Sequence, residues 1–393
     1  MRFPGRRGPS PGVTVSVQAS ESVQASESVR ASESVRASEF IRLTPRPGAA
    51  GQWIADDLLT RRSFKLGAQE AAVLVLAGRP RERQLLAKEA AAELGLPPER
   101  AEAVVATMEK IGLIVDDAYL DTPRYKWGQE VFRRWEEKGW RMAAEYHLAA
   151  HDFPGVDYSK GIAVDRERIH RYRDEEIDGD RFKEPASAER IPLPALSPDL
   201  APMPVGTDAG RTRHLDRPEL LTIAALALGI VETTRSRAPG SADYLTRTSP
   251  SGGRRHPTEG YLAVLDVDGV EPGWYHVHGG LHALVRLPVP APDPDSEEFR
   301  RVFRASTTRP AFDVRCLLVL TSVFRRNMWR YREPRTYRSI HMDVGHIAAT
   351  VTQLAEGFGI PAFPAYGDLE SGVERMIGVD GLAEGLIATV ALG

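Results

Sequence analysis

The chain has 393 residues, 42% of them hydrophobic and 27% charged, with a formal net charge of −3. This is ordinary composition for a soluble globular protein of two or three domains, and near-neutral charge gives no global field to attract nucleic acid or a membrane surface. The single cysteine, Cys316, excludes an internal disulfide framework; lone cysteine usage fits a reducing compartment, and within VRCLLVL it reads as a small buried hydrophobe.

The N-terminus MRFPGRRGPSPG is basic, but no apolar core follows it, so no secretory signal is expected and a cytoplasmic location is. SVQASE begins at Ser16 and Ser22, and SVRASE at Ser28 and Ser34. One Val and one Ala per six residues bury too little to form a core, so residues 1–50 are expected to be a disordered tail.

Helices are expected at Phe64–Gly78, Arg83–Gly95 and Leu96–Gly112, each stopped by glycine, followed by a short strand at Leu113–Val115. Three helices and a strand with tight turns predict a winged-helix-like domain over residues 51–120. Its third helix carries Glu99, Glu102 and Glu109 against Arg100 and Lys110. That balance opposes phosphate contact, so no nucleic-acid partner is expected. Peptide capture by strand addition and a purely structural role both stay open. Residues 121–205 read as a helical connector with Trp127, Trp135 and Trp140 packed on its apolar face, ending in an extended proline-rich linker, Ile191–Pro204.

From about Gly206 helices and strands alternate as an α+β domain. A helix is expected from Asp216 to Gly229, a strand at Tyr261–Gly269, a hairpin at Gly273–Leu287 and a buried strand at Arg315–Phe324. A helix with Asp343 as its N-cap and a closing strand complete the domain. LLTIAALALGIV, from Leu220, is shorter than the ~18 residues of a membrane span, so no membrane association is expected.

Three places concentrate chemistry. Arg211, Thr212 and Arg213 offer two guanidinium groups and a hydroxyl suited to a phosphate. In TSPSGGRRHPTEGYLAV, Gly252 and Gly253 allow close approach to a planar ligand, and Ser249 and Ser251 can hydrogen-bond its edges. FRRNMWRYREPRTYR carries six arginines directly after a strand. Each alone also reads as a solvated surface loop. His276, His278 and His282 read as surface residues of a hairpin, and no metal site is expected.

Four segments, SPSGGRRHPTEGYLAV, GVEPGWYHVHGGLHAL, VFRRNMWRYREPRTYR and DVGHIAATVTQLAEGFGIPAFPAYGD, stand in one order over Gly206–Gly393. Together they resemble the nitroreductase superfamily, and more narrowly its SagB-like azoline oxidases, the FMN-dependent dehydrogenases that mature ribosomally made peptides. AEYHLAAHDFPG, from Ala144, resembles the region preceding the flavin domain in those enzymes.

The resemblance implies a nitroreductase-like domain over 206–393, a mixed sheet flanked by helices, with FMN at a homodimer interface. It implies that Arg211–Arg213 hold the phosphate, that Ser249, Pro250, Ser251, Gly252 and Gly253 lie along the ring, and that Ala365, Tyr366 and Gly367 sit near the flavin N5. Arg330 and Tyr331 fall where those oxidases have an adjacent lysine and tyrosine implicated in proton removal. Arginine stays protonated, which leaves Tyr331 as the base with Arg330 beside it favouring the phenolate. The implied activity is oxidation of azolines to azoles or a related peptide dehydrogenation, with a cyclodehydratase as a potential partner. An NAD(P)H-dependent nitro- or quinone-reductase, and a non-catalytic peptide-binding scaffold with a degenerate flavin fold, stand beside it.

Overall fold

A computed structural model describes residues 34–153, 159, 163–179, 181–196, 214–235 and 243–393. The chain divides into two units, Met1–Pro154 and Gly155–Gly393.

The first unit opens with strands β1 (Ser34–Ala37), β2 (Ile41–Pro45), β3 (Gln52–Asp57) and β4 (Arg62–Gly67). Then come α1 (Ala68–Leu76), β5 (Arg81–Glu82), α2 (Arg83–Leu94), α3 (Pro98–Ile111) and β6 (Ile114–Asp116). Strands β2, β3 and β4 form an antiparallel meander, and β1 lies between β5 and β6. The result is a helix-and-sheet subdomain in which α2 and α3 stop at Gly95 and Gly112, both left-handed. The expected first helix starts four residues late. Phe64 and Leu66 are buried while Ser63 and Lys65 are exposed, so period-two alternation makes β4 a strand instead.

Two further expectations change here. The last SVRASE repeat and the residues after it are not a structureless tail. Val35, buried in β1, and Phe40, packed edge-on against Tyr125, supply the apolar area that the repeat unit by itself lacks. Helices α4 (Asp117–Leu120), α5 (Pro123–Glu136) and α6 (Arg141–Ala150) also belong to this first unit, through a cluster of Phe40, Leu59, Tyr125, Phe132 and Leu148. Trp127 and Trp135 pack against that cluster, whereas Trp140 is 61% exposed.

The second unit contains α7 (Ala163–Glu175), β7 (Arg190–Pro192), α8 (Arg217–Leu228), β8 (Glu232–Thr234) and β9 (Tyr244–Thr246). They are followed by β10 (Thr258–Val264), β11 (Gly273–His278), β12 (Ala283–Arg286), α9 (Glu297–Val302), α10 (Arg304–Thr308) and β13 (Cys316–Val323). The last elements are α11 (Phe324–Met328), α12 (Thr336–Gly357), β14 (Ala362–Ala365), α13 (Glu370–Ile377) and β15 (Glu384–Leu392).

Seven strands form one sheet in the order β14-β15-β13-β10-β11-β12-β7. It was expected to be mixed; every described pairing in it is antiparallel, because β10, β11 and β12 follow one another as hairpins and β13 receives β10 and β15 head to tail. Part of the proline-rich segment is its edge strand β7 rather than linker, and positions 197–204 lie outside the described residues.

Both faces of the sheet are covered. Leu262, Val264, Leu318 and Leu320 pack under α8 and α12, while Tyr261, Ala263, Leu317 and Val319 meet Phe299 and Phe303 on the other side. Strand β10 is therefore buried at all seven positions, and the loop that feeds it is anchored to a rigid base. Helix α8 begins beside Asp216 as expected, and Asp216 caps it, its carboxylate accepting from the Glu219 amide at 3.3 Å. Cys316 is fully buried, and burial pushes its thiol up, which leaves it unreactive.

Candidate active site

The loop Ser249–Pro257 joins β9 to β10 and is bound to α12. Ser249 is 2% exposed, and its hydroxyl shares a 2.7 Å hydrogen bond with Thr350. Ser251 donates to Asp343 at 2.7 Å and accepts from the His256 amide at 2.9 Å. The Gly252 amide donates to the other Asp343 oxygen at 3.2 Å. Both serine hydroxyls that the sequence offers to a ligand are thus engaged within the protein. Gly252 and Gly253 remain with accessible backbone, and Pro250 is exposed.

Asp343 is not an N-cap. Helix α12 begins at Thr336, because Ile340 joins Val344, Ile347 and Val351 in one buried stripe, and Asp343 sits two turns inside. Burial pushes its carboxyl up, partly offset by the bonds from Ser251 and Gly252. The aspartate therefore clamps the glycine loop to the helix. A capping residue and a mid-helix clamp share the same local spelling, so sequence reasoning misread it.

Gly253 has φ +63, and a Cβ there would overlap the Tyr331 hydroxyl and stand 3.0 Å from Cζ. This close approach unites two sequence-predicted places, the glycine loop and the arginine-rich segment. The Arg330 guanidinium lies over the Tyr331 ring, 4.9 Å from its centroid. One guanidinium nitrogen of Arg330 also bonds both Asp165 oxygens, at 2.8 and 2.6 Å. Arg330 is held by a carboxylate of α7 and is not a free base.

Other side chains of the arginine-rich segment are also engaged. Arg325 bonds Glu176 at 3.1 Å and the Ile177 carbonyl at 2.9 Å, and Arg332 pairs with Glu175. The Trp329 indole donates to the Glu176 carbonyl at 2.9 Å. Arg325, Trp329 and Arg332 are therefore docked along the end of α7 and the residues after it, with Arg325 and Arg332 still exposed. Beside Tyr331 this docking leaves a pocket of about 430 Å³, lined by Glu176, Met328, Trp329, Arg332 and Glu333 among others.

Arg255 and His256, which follow the glycine loop, point inward. Arg255 makes paired bonds to Asp178, at 2.9 and 2.6 Å. The His256 Nε2 meets the Leu245 carbonyl at 2.9 Å, and burial, then the charge of Arg247, pushes this imidazole down to about 4.

Ala365 ends edge strand β14, where it pairs with Thr389, and Tyr366 beyond it is 70% exposed. Strands β15 and β13 separate this segment, with Gly367, from β10, and no described contact joins it to the glycine loop. Arg211, Thr212 and Arg213 lie outside the described residues. Two of the three hairpin histidines are not surface residues, while His282 is only partly buried. His276 and His278 are buried, and His276 meets the Glu259 carboxylate at 2.9 Å. Among the described residues no group of three or more His, Cys, Asp or Glu gathers as metal ligands, and no helix is long and apolar enough to cross a membrane.

No family model matches the chain. The trifolitoxin-processing protein TfxB of Rhizobium leguminosarum is 29% identical over 260 residues, covering 62% of this chain and 68% of that protein. A protein of Methanocaldococcus jannaschii bearing a nitroreductase designation is 29% identical over 114 residues, 29% of this chain and 54% of its own length. A solved structure from Anabaena variabilis, also designated a nitroreductase, superposes with a TM-score of 0.43 at 23% identity, over 58% of this chain and 45% of that one.

Proposed function

We propose that this chain, whose second unit carries a nitroreductase-superfamily fold, is an FMN-dependent dehydrogenase acting on a ribosomally made peptide. The observation that carries the reading is the packing of Tyr331 against Gly253 beside a pocket of about 430 Å³. It brings an ionisable oxygen, a loop with exposed glycine backbone and a cavity of ligand size to one place. The relationship to a toxin-processing protein favours a peptide as the substrate.

The residues present fit the cofactor in one respect: with Ser249 and Ser251 clamped to α12, the backbone of Gly252 and Gly253 forms a fixed edge against which a planar ring can lie. Of the expected segment Ser249–Gly253, the backbone of Gly252 and Gly253 would hold the ring, with Arg211–Arg213 at the phosphate and Ala365–Gly367 at the ring's far side. FMN, when bound, would accept a hydride, and with it two electrons, from a substrate carbon.

The protein's own residues orient the substrate and take the proton. Tyr331 receives the proton from the position next to the oxidised carbon. Arg330, fixed by Asp165, keeps positive charge over the Tyr331 ring and stabilises the phenolate form. Oxidation of azolines to azoles is the favoured reaction, and a homodimer the favoured assembly. The first unit, with open sheet edges at β2 and β4 among its described strands, would capture the peptide by strand addition.

Adding FMN to the purified protein tests the cofactor. Retention of the flavin absorbance after gel filtration supports the reading. A protein that stays colourless would instead fit a peptide-binding scaffold.

A further inference from the structure

Between the two site loops, on the inner side of β10, four arginines converge. Arg247, Arg255 and Arg326 are 7%, 5% and 5% exposed, and Arg181 closes the solvent side with its side chain 16% exposed. All four lie within electrostatic reach of one another or of His256, whose protonation Arg247, Arg181 and Arg326 all oppose. Two carboxylates answer them. Asp178 takes the forked bonds of Arg255 and a looser contact of 3.6 Å from Arg181. Glu259 pairs with Arg326 at 2.6 Å and is shared with His276. Four guanidinium groups against two carboxylates leave a surplus of two positive charges in a largely dry place.

The surplus is accompanied by unused donors. Arg181 Nε and Nη1, Arg247 Nε and Arg326 Nε are buried and have no hydrogen-bond partner among the described residues. Buried cations without matching anions are costly, and buried N–H groups without acceptors add to that cost. Guanidinium forks complement the tetrahedral or planar face of an oxyanion better than a spherical ion. Burial, and then the neighbouring arginines, push Arg181 and Arg247 down to about 10.

We propose that Arg181, Arg247 and Arg326 form an internal binding site for a phosphate-type oxyanion, entered from the side of Arg181. Its residues are distinct from Arg211–Arg213, and where the phosphoryl group of FMN is the source, that group is held here rather than at Arg211–Arg213. The oxyanion has two potential sources, inorganic phosphate in solution or the phosphoryl group of a bound nucleotide such as FMN, and both present the same chemistry to the arginines.

The test is thermal unfolding of the full chain titrated with inorganic phosphate, against chloride at matched ionic strength. Saturating phosphate should raise the midpoint by about 5 °C, while chloride does nothing comparable. Arg181→Gln, at the solvent side of the cluster, should lose most of that rise. Repeating the titration on FMN-loaded protein separates the sources. A response that survives FMN identifies a free oxyanion, and one that vanishes with FMN, but not with riboflavin, identifies the nucleotide's phosphate. Equal effects of phosphate and chloride on the wild-type chain, or an undiminished phosphate response in Arg181→Gln, would overturn the proposal.

Discussion

Tyr331 and Gly253 occupy adjoining space so tightly that no side chain fits between them: the tyrosine hydroxyl lies where a Cβ on residue 253 would be. The glycine is also left-handed, at φ +63. The only residue in the arginine-rich segment assigned a proton-transfer role is therefore positioned by the loop assigned to the cofactor.

Gly253→Ala should cost about 1–3 kcal/mol from backbone strain alone, and more from displacing Tyr331. Urea unfolding of Gly253→Ala, Tyr331→Phe and the double variant checks the cause. Removal of the hydroxyl should recover part of the loss, giving a double variant more stable than the sum of the two single effects. Simple additivity would show that the two residues do not compete for space.

Removing the Asp343 clamp should loosen the loop without breaking the helix. Asp343→Ala strands the Ser251 hydroxyl and the Gly252 amide, at a cost of about 1–3 kcal/mol. Hydrogen exchange should show the amides of residues 251–253 opening faster while those of residues 347–355 keep their protection. Uniform acceleration along α12 would mean that Asp343 supports the helix rather than the loop.

Breaking the Arg330–Asp165 pair should be more damaging than its position on a loop implies. Both side chains are nearly buried, 12% and 11% exposed, so Arg330→Met leaves an almost dry carboxylate whose one other ion pair among the described residues is with Arg168 at 3.0 Å. A loss of about 2–3 kcal/mol is expected in denaturant unfolding. Asp165→Asn/Arg330→Met should recover much of it, since the stranded charge is gone.

Acid should destabilise the second unit in two separate windows. The His256 imidazole is held down at about 4, against an ordinary 6.5, by burial and by Arg247. A buried neutral histidine binds fewer protons than its unfolded counterpart, so stability falls as pH drops from 6.5 to 4, by on the order of 3 kcal/mol. His256→Asn, which tolerates the left-handed backbone at φ +47, should lack that slope. For Glu259, burial acts to raise the carboxyl, but Arg326, His276 and Arg247 outweigh it and hold it at about 2. Its contribution is present above pH 4.5 and is lost only as pH falls through about 2, so a single acid transition centred near pH 5 in both proteins would contradict the pair of assignments.

What could be read along the chain was local. The start of α8 at Asp216, the glycine stops of α2 and α3 and the buried strand around Cys316 are each spelled within a dozen residues. The site depends on longer connections. Arg330 meets Asp165 across 165 positions, and Trp329 meets Glu176 across 153, so the six arginines looked solvated although Arg325, Arg330 and Arg332 answer carboxylates far upstream. Burial of His276 was invisible for the same reason, since its carboxylate partner lies on the neighbouring strand β10 and not beside it in sequence. Period-two alternation at Phe64 and Leu66 was present but lay inside an apolar run with helix-forming composition, and the two signals overlapped.

The measurement that bears most directly on the function is flavin reduction under anaerobic conditions. FMN-loaded protein mixed with an azoline-containing peptide, and no nicotinamide, should lose its visible flavin absorbance in a single turnover, and Tyr331→Phe should slow that loss at least tenfold while retaining FMN. Rapid bleaching by NAD(P)H with none by the peptide would contradict the account and identify a nicotinamide-dependent reductase.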